Sequence, residues 1–485
     1  MNLQEGDPPS LNPYVGVDLR SRCLFLALYE PLTKKNAQGE TELAAAEKIE
    51  IDPTQTIYTF HIRPSRWSNG EPVTSHHFAQ AWKYALTPGT CCYRADLFYS
   101  IKNAEKIKKG QLPIEELKIS TPDDKTLIVE LEHPVPYFLD LTATSFFSPL
   151  FHADNKDPDS FNGPYIVGER IRDQRMVFYK NPHYWDSSAV EIDEICFTMV
   201  KDPMTALALY ENGELDLVGD PFSPLPFDVI PSLEASGRLQ SKLVSRIFYL
   251  LLNANTPVLQ QKQIRQALGL CIDRDQLTEH LFFKELPTYS SLPKPLALSE
   301  EKEFDHKKDA IQLFEEGLAE LNLTRETFPK ITLSYAELSG QKSLAEFLQD
   351  QWKQKLGIEA EIVGSQWNSH IASLRSRNYQ IGTLHLTTLY PDPMFYFDLF
   401  RNKEDLCNYT GWEDPDFRHL LEESDRQIEP NARRMHLKQV EMALFDQMPA
   451  IPLFTQNLLY LVREPLSLAI TDLGIYDFKN SKMVR

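Results

Sequence analysis

Between Asp309 and Pro393 the spacing of apolar residues changes period in a regular order. Ala310, Leu313, Phe314, Gly317, Leu318 and Leu321 recur at helical spacing and predict a helix with one apolar stripe. After Pro329, residues Ile331 to Tyr335 alternate at period two and predict a strand. Ser343 and Glu346 have the spacing of a capping box, so a helix is expected to open there, bury Leu344, Phe347, Leu348, Trp352 and Leu356, and end at Gly357. Ile358, Ala360 and Ile362 alternate as a second strand, a short helix around Ile371 and Leu374 follows, and Tyr379 to Leu386 reads as a third strand. Strand, helix, strand, helix, strand implies an α/β layer with crossover connections. Open sheets of this kind bind ligands at the carboxyl ends of their strands, here the loops around Trp367 and from Thr387 to Pro393.

The first half is richer in short alternating runs. Ile57 to Ile62 predicts a strand, Trp67 to Gly70 a turn, and Thr74 the start of a helix carrying Phe78, Ala81 and Trp82 inward. Asp124 to Leu131 and Gln174 to Tyr179 are again strand-like. Two apolar runs, Ile247 to Leu252 and Leu453 to Val462, read either as ordinary core strands or as strands crossing between two lobes; in the second case they enclose about 200 residues as one compact unit.

Composition narrows the class. At roughly 150 residues per domain, 485 residues make two or three domains, and 42% hydrophobic with 11% aromatic residues is enough for large cores. The 50 Lys and Arg against 69 Asp and Glu leave a net charge of −19, a surface that repels phosphate backbones and anionic headgroups, so no nucleic-acid partner is expected. Charge-free stretches such as Gln447 to Val462 are shorter than a spanning helix and contain Pro449 and Pro452. The first residues lack a basic segment followed by an apolar one, which fits a cytosolic protein or one whose signal segment is absent from this chain. Cys23, Cys91, Cys92, Cys196, Cys271 and Cys407 show no Cys-x-x-Cys spacing and are read as mostly buried thiols with at most one bridge.

Candidate chemistry is sparse. The chain has no G-x-S-x-G elbow, G-x-G-x-x-G turn, Walker loop or H-E-x-x-H helix. His76 and His77 point apart as sequence neighbours and read as surface or capping residues, and Asp123 with Asp124 as turn residues. No metal or cofactor is expected. An enzyme reading, a hydrolase acting on peptides, would have to assemble dispersed carboxylates or histidines from distant positions.

Several segments, in order along the whole chain, are similar to one family. They include Tyr58 to Arg63, Arg66-Trp-Ser-Asn-Gly-Glu-Pro-Val-Thr74, Glu132 to Phe138, Asn162-Gly-Pro-Tyr165, Lys180 to Asp186, Asn212 to Asp216, Ile264 to Leu268, Trp352 to Gly357 and Asp392-Pro393. They resemble the peptide-binding, oligopeptide and dipeptide class of bacterial ABC-transporter extracytoplasmic substrate-binding proteins. The resemblance implies an α/β, two-lobed periplasmic binding protein-like fold with an extra β-rich subdomain in the first lobe. By that analogy residues 1–30, 156–247 and 460–485 form the first lobe, 31–155 its extra subdomain and 248–459 the second lobe. It also implies a monomeric receptor, periplasmic or extracytoplasmic with a lipid anchor as one mode of attachment, that captures small peptides in an interlobe cleft and hands them to an ABC transporter permease. The family's binders of nickel chelates and of modified tripeptides resembling glutathione keep a non-peptide or modified-peptide ligand open. Trp67, Trp82 and Trp185 are expected in the core.

The same resemblance places Asp18, Leu19, Arg20, Tyr93 and Arg94 in first-lobe loops that approach the ligand, and Trp367 where the family often sets a tryptophan beside it. In the segment Thr387 to Pro393 many members carry an aspartate for the peptide ammonium; here that position is Leu389, while Asp392 is kept. An arginine some members use for the carboxylate corresponds to Thr383. Recognition is therefore expected to rest on Thr387, Thr388, Tyr390, Asn408 and Tyr409, with Arg20, Arg94 or Arg375 for a carboxylate, and Asp392 as a substitute anchor or a loop brace.

Overall fold

The computed structural model describes residues 1–484 apart from 17, 37, 155, 156, 283 and 406. The chain divides into two compact units, Met1–Lys242 with Leu458–Arg485, and Leu243–Asn457. The sequence-based divisions fell at 247/248 and 459/460; the end of the β-rich subdomain at residue 155 lies outside the described residues.

The first unit opens with helix α1 (Leu19–Leu28), whose N-cap Asp18 accepts from the Ser21 N–H. An antiparallel sheet follows, of β1 (Ala46–Ile51), β2 (Ile57–Ile62), β3 (Ile119–Asp123) and β4 (Thr126–Glu130) in the order β1-β2-β4-β3. Alternation along β2 buries Tyr58, Phe60 and Ile62. Helix α2 (Ser75–Leu86) follows its expected start: the Thr74 N–H donates to His77 Nδ1 at 3.0 Å, so His77 serves as a cap. It buries Phe78 and Trp82, and the Trp82 indole N–H donates to the Phe147 carbonyl at 3.1 Å. A second antiparallel sheet contains β5 (Tyr165–Ile171), β6 (Arg175–Lys180) and β7 (Glu194–Thr198). Phe197 packs with Phe222 and Phe478, and Tyr476 packs on Phe222, so the last segment of the chain completes this unit's core.

Two long strands, β8 (Gln240–Leu252) and, further along the chain, β12 (Ala450–Val462), contain the points where the chain passes from one unit to the other. The second unit adds β9 (Ile331–Ala336), β10 (Ala360–Ser365) and β11 (Ile381–Thr387), giving the order β12-β8-β11-β9-β10. β9 is parallel to both β10 and β11, and β11 is antiparallel to β8. Parallel pairing requires the crossovers that the alternating pattern implied, and helices α3 (Ala310–Glu320), α4 (Gln341–Leu356) and α5 (Trp367–Arg375) flank these strands in sequence. Gly317 of α3 is needed for close approach, since a Cβ there would meet the Ile264 side chain at 2.7 Å. Helix α4 buries Leu344, Leu348, Trp352 and Leu356, each Leu contributing about 1.5–3 kcal/mol, and ends at Gly357 with φ 72. It begins earlier than the Ser343 capping box suggests. Gly340 takes a left-handed conformation (φ 77), which lets the chain turn directly into Gln341 and leaves Ser343 an exposed helical position.

Two other expectations change. Trp67 and Trp82 are buried, but Trp185 is 36% exposed, with the Arg63 and Lys479 side chains over its ring in place of an apolar core. All six cysteines are free, and only Cys23 and Cys271 are buried, their thiols pushed up to about 12 by burial.

Candidate ligand-binding site

The carboxyl end of β11 and the start of α5 come together in the second unit, and Trp367, Thr387 and the loop carrying Thr388, Leu389, Tyr390 and Asp392 lie there. Trp367 is the first residue of α5 and stays 37% exposed; its ring stacks on His385 of β11, with centroids 5.4 Å apart and planes 13° from parallel. His370, one turn along α5, is buried and donates from Nε2 to the Thr383 carbonyl at 2.7 Å, so its Nδ1 is left as an acceptor without a partner. Arg375, in the last turn of α5, is exposed.

Thr387 ends β11 opposite Arg246 of β8, and the next N–H, of Thr388, donates to the Ser245 carbonyl at 3.0 Å. The Thr388 hydroxyl turns back to the Tyr390 carbonyl, closing the loop on itself. Leu389 is 5% exposed and Tyr390 packs edge-on against Phe395. Asp392 is held on both oxygens by the Arg433 guanidinium, at 2.7 and 2.8 Å, and also accepts the Met394 N–H at 2.9 Å. A fork of this kind ties the loop carrying Asp392 to Arg433. Asn408 is equally committed: its Nδ2 donates to the Asn402 and Trp412 carbonyls, and its Oδ1 accepts from Thr410 and Gly411. The Tyr409 carbonyl accepts from Tyr379.

In the first unit, Asp18 caps α1 and also accepts the Ser21 hydroxyl at 2.7 Å. Leu19 and Arg20 begin the helix as buried residues, with Arg20 3.3 Å from Glu5 and 3.6 Å from Asp18. Arg94 forks onto Asp96 at 2.9 and 2.7 Å, and Tyr93 beside it is half-exposed. Both arginines proposed for a carboxylate in this unit therefore already face resident carboxylates.

Arg246 and His385 were missed by pattern reading. Arg246 is the one charged residue between Val244 and Leu252, a signal the sequence did contain. The β8–β11 register sets Arg246 opposite Thr387 and Phe248 opposite His385, which makes Arg246 and His385 diagonal neighbours on one face of the sheet. Burial, then the positive charge of Arg246 and the ring of His370, holds His385 well below 6.5, as a neutral imidazole.

At the other ends of these strands a cavity of about 420 Å³ is lined by Asn253, Thr332, Ser334, Arg377, Tyr379 and Gln380. Two of its polar side chains bond within the lining, Asn253 donating to the Arg377 and Tyr379 carbonyls and Gln380 accepting the Thr332 N–H. Among the described residues no cluster of three or more His, Cys, Asp or Glu could hold a metal ion. No helix among them is long and apolar enough to cross a membrane.

Residues 40–406 match the family model for bacterial extracellular solute-binding proteins, family 5 Middle. The chain belongs to the family 5 solute-binding proteins. Within that family it is 33% identical over 466 residues to the oligopeptide-binding protein OppA of Bacillus subtilis (strain 168), covering 92% of this chain and 86% of the relative. It is 27% identical over 480 residues to the dipeptide-binding protein DppE of the same organism, covering 95% and 87%. The crystal structure of Haemophilus influenzae OppA in complex with the peptide RPPGFSPFR matches with a TM-score of 0.86 at 23% identity, over 100% of this chain and 98% of that one. The fold is thus that of a family 5 protein, α/β in both units with an added β-rich sheet in the first.

Proposed function

We propose that this family 5 protein is the extracytoplasmic receptor of an ABC importer, which captures small peptides and delivers them to a membrane permease. The observation that carries the reading is 33% identity to an oligopeptide-binding protein over 92% of the chain. The site is consistent with it. Leu389 is buried, Asp392 is paired with Arg433, and the indole of Trp367 is exposed at the end of β11. With Asp392 paired to Arg433 and no other carboxylate among the described residues of this loop, short or acidic peptides are favoured over long unmodified ones.

A thermal-shift screen against short peptides tests the assignment. A ligand that binds only the folded state adds about 2.7 kcal/mol of stability at a hundredfold excess over Kd. The expected result is saturable stabilisation, with ligand recovered intact by mass spectrometry. No shift with any peptide overturns the reading, and cleaved ligand replaces it with the hydrolase.

A further inference from the structure

We infer that Arg246, with His385 and Trp367 beside it, forms a subsite for a carboxylate of the bound ligand. The inference rests on the peptide-receptor reading and specifies which group of the peptide this edge takes.

The case begins with an arginine that lacks a counter-ion. Along β8 the residues on both sides of Arg246 are buried, and its own side chain is partly enclosed. Its Nε lies out of solvent with no hydrogen-bond acceptor, and no carboxylate among the described residues pairs with the guanidinium. Desolvating a guanidinium without a partner is unfavourable, so such a group persists where something else supplies the negative charge. The surroundings supply none. Across the strand stands Thr387, diagonally stands the imidazole of His385, and behind that ring His370 is tied to a carbonyl.

The neighbouring rings define what kind of anion would fit. His385 is stacked flat under Trp367, so the indole covers one side of the imidazole and leaves its own outer face exposed. A planar carboxylate could accept from the Arg246 fork while the adjoining peptide lies along the indole face; a guanidinium is matched to that geometry and an ammonium is not. The other arginines considered have different circumstances. Arg433, Arg94 and Arg20 each face an aspartate or glutamate, Arg375 is exposed in the last turn of α5, and Arg246 stands at the carboxyl end of β11 with no carboxylate partner among the described residues.

Two carboxylates of a peptide could occupy the subsite, the terminal one and that of an acidic side chain. The test uses three libraries of tri- to pentapeptides: free acids, C-terminal amides, and amides carrying one Glu at each position. Competition by native mass spectrometry selects peptides for calorimetry on the wild type, Arg246→Gln and Arg246→Lys, with thermal unfolding as the folding control. The wild type is expected to prefer carboxylate-bearing peptides over their neutral counterparts by at least about tenfold. Arg246→Gln should lose that preference while binding the amides as before, and Arg246→Lys should keep part of it. Preference for the free acids assigns the terminal carboxylate, and preference for the Glu amides assigns the side chain. An Arg246→Gln protein that folds, binds and still discriminates overturns the subsite and leaves the receptor reading standing. If the wild type binds no peptide, the receptor reading has failed, and acetate titrated against the His385 ring resonances decides the subsite separately: a shift lost in Arg246→Gln supports it, and no shift refutes it.

Discussion

Trp185 in the first unit and Trp367 in the second are almost equally exposed, at 36% and 37%, yet their environments are opposite. The Arg63 guanidinium lies 3.6 Å from the Trp185 ring centroid, Lys479 lies 5.1 Å from it, and the indole N–H donates to Glu30 at 2.6 Å. Glu30 is buried and also accepts the Tyr184 hydroxyl at 2.9 Å, while Lys479 is paired with Asp186 at 2.6 Å. Every strong group around Trp185 has a partner within the unit. Trp367 rests on one neutral imidazole, next to an arginine with no carboxylate partner among the described residues. Equal exposure therefore means different things: one indole is the lid of a finished polar network, and the other is the wall of an unfinished one. Unsatisfied charge, more than accessible area, marks the surface available to a ligand.

The largest effect should come from breaking the finished network. Glu30→Ala leaves the Tyr184 hydroxyl and the Trp185 N–H without their acceptor, and should cost about 3 to 5 kcal/mol in urea unfolding followed by tryptophan emission. A loss below about 1 kcal/mol would mean that the network contributes little and that the contrast with Trp367 is one of appearance.

Replacing each ring separates the two regions more directly. Trp185→Ala should destabilise by about 2 to 3 kcal/mol and leave peptide affinity unchanged, while Trp367→Ala should cost under about 1 kcal/mol and weaken the best peptide by about tenfold. If the two variants behaved alike in both assays, the comparison would collapse.

The subtlest difference is in pH dependence. Burial, opposed by Lys479 and the two donors, raises the Glu30 carboxyl above 4.5. Its contribution to stability is complete below 4.5 and is lost as pH rises through the higher folded value. Burial and Arg246 lower His385 below 6.5, so its contribution is complete above 6.5 and is lost as pH falls through the depressed value. Stability measured across this range should lose the first slope in Glu30→Gln and the second in His385→Gln. A wild-type profile unchanged by either substitution would contradict both assignments.

How far the sequence reveals these regions depends on the range over which each is determined. The helix from Ala310, the strand from Ile331 and the stop at Gly357 are set by residues within a few positions of one another, and periodicity alone locates them. The start of α4 was misplaced because Ser343 and Glu346 satisfy a local motif, while the left-handed Gly340 two residues before Lys342 is what turns the chain. Asn408 was read as a ligand group from its place in the sequence, and the hydrogen bonds its side-chain amide makes within its turn-rich loop depend on the loop's own conformation. The Arg246 and His385 neighbourhood lay beyond local reasoning altogether. Each looks like an isolated polar residue in an apolar strand, and only the register between β8 and β11, set 139 positions apart in the chain at Arg246 and His385, brings them together. Trp185 was misjudged for the same reason, since Glu30, Arg63 and Lys479 reach it from distant segments.

The passage of the chain out of the first unit at β8 and back at β12 also bears on how the protein is made. The second unit is a continuous run, Leu243–Asn457, and has all its residues once synthesis has passed that point. The first must wait. Leu461 belongs to the apolar cluster around Leu207 and Tyr210, and Tyr476, Phe478 and Lys479 fill positions against Phe222 and Trp185. Closing the first unit's core therefore needs contacts from residues more than 200 positions further along the chain, on the far side of the inserted unit.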